Sequence, residues 1–156
     1  IYDLVVYYRD HKKKSNSEIV YLIEKLLAQK FKIIVVGDKL NIKGLVNEIN
    51  LPKKKLFQII KKSKFALNSG ENSLSLFMFD CISNGVKTFV NKKKISNILK
   101  KNKLVIPVNF DDKKLFIKIV GQNIKKNNSK FLRSNELIIY KKKINYQLRD
   151  YFSQNI

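Results

Sequence analysis

Two acids bracket the most apolar run of this chain. In "SGENSLSLFMFDCISNGV" (69–86), Glu71 precedes the stretch Leu74–Phe79 and Asp80 follows it directly. Lys and Arg outnumber Asp and Glu 33 to 12, so two scarce acids around a run otherwise built for burial ask for a reason. A carboxylate has lone pairs enough to accept two neighbouring hydroxyls. Gly70 lets a backbone come close to a ligand, and the start of a helix offers unpaired N–H groups and partial positive charge to a phosphate. A second loop, "RDHKKK", brings Arg9 and Lys12 to Lys14. Each residue also has a plainer reading. Glu71 would then be a first-turn acid facing the helix dipole, Asp80 a surface partner for a lysine, and Arg9 and Lys14 a solvated loop.

Other chemistries find little support. His11 is the single histidine and no elbow-type serine motif is present, which speaks against a His-based hydrolase. One cysteine, Cys81, allows neither an internal disulfide nor a multi-cysteine metal site, and its place in the apolar helix suggests a small buried side chain. Walker and G-x-G-x-x-G patterns are missing, so ordinary P-loop and dinucleotide readings fail. No metal is expected.

These loops need elements to position them. "YDLVVYY" (2–8), "KIIVVGD" (32–38), "KFALNS" (64–69), "VKTFV" (86–90) and "KLVIPV" (103–108) read as strands, the first two as continuous apolar runs of the kind buried on both faces. Between them, 17–30 places Ile19, Leu22, Ile23, Leu26 and Leu27 on one helical face, with Ser17 as its cap. Further helices are expected at 53–62, 72–84, about 94–101 and 111–125, with Gly85 ending the third. "LVNEINL" reads as loop. After a polar break, a last helix is expected at about 134–152, its face of Leu137, Ile138, Ile144 and Leu148 available to a partner. Alternating strands and helices predict an α/β, doubly wound, Rossmann-like parallel sheet. The expected division is a binding domain over 1–126 and a helical tail over 127–156.

In such a sheet, ligands sit outside the carboxyl ends of the strands, and there the sequence resembles a known family. "SGENSLSLFMFDCISNGVKTF" is similar to the S-x-x-E-G-F-G-L-P-L-L-E-A-M-A-x-G-x-P-V signature of the donor-binding halves of GT-B glycosyltransferases, the retaining "group 1" type. Glu71 matches the first glutamate, Asp80 the second, and Gly85-Val86 the later G-x. "YYRDHKKKS" resembles G-R-x-x-x-x-K-G, with Arg9 and Lys14 at the right offset. Eight residues separate the two acids where the family has seven, and the second acid is Asp rather than Glu. The resemblance covers about residues 2–125. It implies that Asp80 accepts the donor ribose hydroxyls and that Glu71 is the catalytic acid near the transferred sugar. Arg9, Lys14 and the loop at Gly70, Asn72 and Ser73 would hold the diphosphate. It also implies a nucleoside-diphosphate sugar as substrate, no cofactor, a polysaccharide, lipid or other acceptor, and a second, amino-terminal half missing from this chain. Transfer activity is then not expected from these residues alone.

The net charge of +21 admits a second reading, a basic module that binds polyanions or an anionic membrane without catalysis. No nucleic-acid partner is expected, because only Arg9, Arg133 and Arg149 offer the planar fork that base recognition favours. Lys, Asn and Ile together number 67 of 156 residues, so A/T-rich codon use also accounts for a solvated lysine surface. The expected location is cytoplasmic, peripheral at the inner face of the membrane.

Overall fold

The structure is a computed structural model, and it describes residues 1–10, 17–68, 75–95, 97–126 and 142. Along the chain, β1 (Tyr2–Tyr8), α1 (Ser17–Ala28), β2 (Ile33–Gly37) and β3 (Val46–Ile49) come first. Then follow α2 (Lys53–Lys61), β4 (Ser63–Asn68), α3 (Leu76–Ser83) and β5 (Lys87–Asn91). A 3-10 turn (Lys92–Lys94), α4 (Asn97–Lys100), β6 (Val105–Val108) and α5 (Lys113–Lys125) complete the described fold. The six strands form one all-parallel sheet in the order β3-β2-β1-β4-β5-β6.

Apolar runs fill the middle of the sheet because both of its faces are covered. Alternation divides the strand side chains between two cores. Leu4, Val6, Val35, Phe65, Leu67 and Phe89 pack with Leu22, Leu26, Phe116 and Val120, beneath α1 and α5. Val5, Ile34, Val36 and Ala66 point the other way, to Ile60, Phe77 and Cys81 on α2 and α3. A third cluster of Met78, Ile82, Val90, Leu99 and Leu104 extends that second side under α4. This is the expected α/β, doubly wound, Rossmann-like sheet.

The local differences have physical causes. "LVNEINL" contains β3 rather than loop alone. β3 is a short edge strand whose Val46 and Ile49 are exposed, so it has no run of buried apolar residues to announce it. The opposite edge, β6, carries Pro107, tolerated where a ladder donor is not needed. α3 starts at Leu76 and not at Asn72. Ser75 is extended (φ −77°, ψ 145°) and its hydroxyl accepts the Met78 N–H at 3.2 Å, which caps the helix. α1 begins at Ser17, the residue from which the sequence places its start. The helix expected at about 94–101 is the four-residue α4, and a 3-10 turn precedes it at Lys92–Lys94. Gly85 ends α3 as expected, with φ of 77°. The tail at 127–156, with the last expected helix, lies outside the described residues except for Lys142.

Candidate functional site

The strand order reverses between β1 and β4. β1 is followed by β2 and β3 on one side, β4 by β5 and β6 on the other, with Tyr7 level with Asn68 across the junction. Loops leaving the carboxyl ends of two such strands depart in opposite directions, and the crevice between them is where open α/β sheets take ligands. The loops in question are those after Tyr8 and after Asn68, the two that the sequence singled out.

Close to this junction lies an open cleft of about 410 Å³, within the size range of small-molecule sites. β1 contributes Tyr7, whose ring stacks on Phe77 in the first turn of α3. The approach to α2 contributes Leu51, and α2 itself Lys53 and Leu56. Ser75, Leu76 and Asp80 come from the start and middle of α3. Leu51, Leu56 and the aromatic pair make apolar walls. Lys53 and Asp80 put opposite charges on them.

Asp80 is half-buried, and that burial raises its carboxyl above the ordinary value while the Lys53 ammonium pulls it back down. A carboxylate in that setting has given up part of its water and accepts hydroxyl donors readily. The next residue, Cys81, is fully buried. Burial, and after it the Asp80 charge, pushes the thiol well above its usual range against a hydrogen bond with Thr88. Cys81 is therefore a packing residue and no nucleophile. Asn84 donates its side-chain amide to the Asp80 backbone carbonyl at 2.7 Å. Phe77 is buried in the core.

At the same edge of the sheet, β2 ends in Gly37 and Asp38. The Asp38 N–H donates to the Tyr8 carbonyl at 3.0 Å, and the Asp10 N–H donates to Asp38 Oδ2 at 2.8 Å. These bonds fix the first residues after β1, where Arg9 stands exposed. Burial raises the Tyr8 phenol, with Asp10 and Asp38 adding to the shift. Among the described residues, no group of three or more His, Cys, Asp or Glu is placed to hold a metal. No described helix is long and apolar enough to cross a membrane.

Of the expected site residues, Arg9 and Asp80 are described. Lys14, Gly70, Glu71, Asn72 and Ser73 lie outside the described residues. Neither a protein-family model nor a curated protein matches the chain.

Sequence reasoning missed Tyr7, Lys53, Leu51 and Leu56 as cleft residues. Tyr7 was hidden inside an apolar strand, and nothing in its type told which face it would take. Pro52-Lys53 did carry a signal. Proline favours a helix start, and a helix starting there after an edge strand brings its first lysine to the carboxyl edge of the sheet.

Proposed function

We propose that this domain is the donor-binding half of a GT-B glycosyltransferase and holds a nucleoside-diphosphate sugar at the junction of β1 and β4. The observation that carries the reading is the half-buried Asp80 carboxylate, set in an open cleft where the strand order reverses. Asp80 accepts the ribose hydroxyls. The base rests against the apolar walls of Leu51, Leu56 and Tyr7, with Lys53 at the rim. The diphosphate extends toward the loops after β1 and β4, where Arg9, Lys14 and the N–H groups of Gly70, Asn72 and Ser73 meet it. Glu71 stands beside the sugar. Positive charge and backbone dipoles there stabilise the nucleoside diphosphate as it leaves, the electrostatic term on which such transfer depends. The acceptor comes from the amino-terminal half, so these residues bind donor without turning it over.

Calorimetric titration with UDP, GDP and ADP at moderate salt tests the reading on wild-type protein and on Asp80→Asn. One nucleotide binds in preference, and the substitution weakens it by at least about tenfold, since hydrogen bonds to a charged acceptor are lost. Equal binding of all three, weakening in parallel with salt and indifferent to Asp80, overturns it.

A further inference from the structure

Among the described residues, the lysines are not spread evenly over the two helical layers. On the side of α2, α3 and α4, those helices and the 3-10 turn carry eight lysines against one acid, Asp80. On the other side, α1 and α5 carry five lysines against Glu18 and Glu24. The 3-10 turn borders the first side, where Ile95 just after it packs on the cluster under α4, while its middle lysine, Lys93, pairs with Asp111 ahead of α5. Lys54, Lys61, Lys92 and Lys94 are exposed and form no ion pair among the described residues. Leu76 stands among these elements at the rim of the cleft, 83 % exposed, where burial would have been expected of the first residue of an apolar helix.

We infer that the α2–α4 side docks on an anionic lipid surface, with Leu76 entering the headgroup layer. Lysines near such a surface each add to the attraction, and a protruding leucine adds apolar contact that a soluble polyanion would not reward. Nucleic acid fits this side less well. Its described elements carry no arginine, and the Phe57 ring, a conceivable stacking platform, is covered by Lys53 Nζ at 5.4 Å from the ring centre. Docking in this orientation holds the mouth of the cleft against the bilayer. It does not depend on what the cleft binds.

The test is co-sedimentation of the full 156-residue chain with vesicles of phosphatidylcholine alone or mixed with phosphatidylserine. Two quadruple variants are compared: Lys54→Glu, Lys61→Glu, Lys92→Glu, Lys94→Glu on this side, and Lys114→Glu, Lys118→Glu, Lys125→Glu, Lys126→Glu on the other. They remove the same charge. The expected result is binding to the mixed vesicles alone, lost more than about tenfold in the first variant and far less in the second. Leu76→Ser, which leaves the charge untouched, weakens it severalfold. Near-UV circular dichroism checks folding, and the pairs Lys54/Lys61 and Lys92/Lys94 repeat the comparison separately if the quadruple variant unfolds. Equal loss in both quadruple variants overturns the proposal in favour of unsided net charge. Displacement by single-stranded RNA, with no effect of Leu76→Ser, overturns it in favour of a polyanion site.

Discussion

Tyr7 and Phe77 stack with ring centroids 5.2 Å apart and planes 18° from parallel. The contact joins the carboxyl end of β1 to the first turn of α3 and so sets where Asp80, on the next turn, faces the cleft. Phe77 is buried and Tyr7 is partly exposed, so the pair is both core and cleft wall.

Tyr7→Phe keeps the stack and leaves stability nearly unchanged. Tyr7→Ala removes it and costs about 2 kcal/mol, from lost burial and the aromatic contact. Urea unfolding of the two variants checks the difference. On the proposed reading, Tyr7→Ala also weakens nucleotide binding, because the base loses a wall.

Gly37 cannot be replaced without moving the end of β2. Its φ is +108°, and a Cβ there would come within 2.4 Å of the Tyr8 carbonyl oxygen. That oxygen already accepts the Asp38 N–H, so it is held in place. Gly37→Ala is expected to lower the unfolding free energy by about 2 kcal/mol or more, read from the urea midpoint. Gly44 gives the control. It too has positive φ, but nothing lies within 4 Å of an added Cβ, so Gly44→Ala is the milder change.

Asp80 trades stability for its place in the cleft. Burial raises its carboxyl, so the folded protein holds that proton more tightly than the unfolded chain does. The sign follows: the contribution is fully favourable below the ordinary carboxyl value near about 4 and is lost as pH rises through the raised one. At neutral pH the charged side chain is therefore a net cost. Asp80→Asn is expected to unfold at a higher denaturant concentration than wild type at neutral pH, with the gap closing below about pH 4. The same variant is the one expected to lose nucleotide binding.

Lys53 opposes that shift. Because the proposed ribose contact needs an ionised Asp80, binding falls as pH drops through the Asp80 value. Lys53→Met removes the opposing charge, so the pH at which binding is half lost moves upward. Nucleotide titrations over about pH 4 to 7 read that midpoint directly. An unmoved midpoint would separate Lys53 from the Asp80 carboxylate and leave it as a rim cation.

How much could be read before folding depends on how each residue is used. The strands β1 and β2 were legible because burial on both faces demands unbroken Val, Ile, Leu and Tyr, a pattern few other structures require. α1 was legible from Ile19, Leu22, Ile23 and Leu26, all fully buried. β3 was not, since an exposed edge strand imposes little on its side chains. The start of α3 was misread by several residues. Ser75 is one of three serines between positions 69 and 75, and only the direction of the backbone decides which hydroxyl caps a helix.

The sequence by itself determined the layered α/β class and the buried Cys81, and it singled out two loops, because hydrophobic periodicity and scarce acids are local properties. Tertiary structure decided the strand order, and with it the junction of β1 and β4 at which those loops depart. It also decided which side of the sheet each helix covers. That choice brings Tyr7, Lys53 and Asp80, far apart in the chain, to one cleft and gathers the lysines of α2 and the 3-10 turn on one side. Such pairings are long-range, fixed by which apolar face finds cover, and no local pattern encodes them.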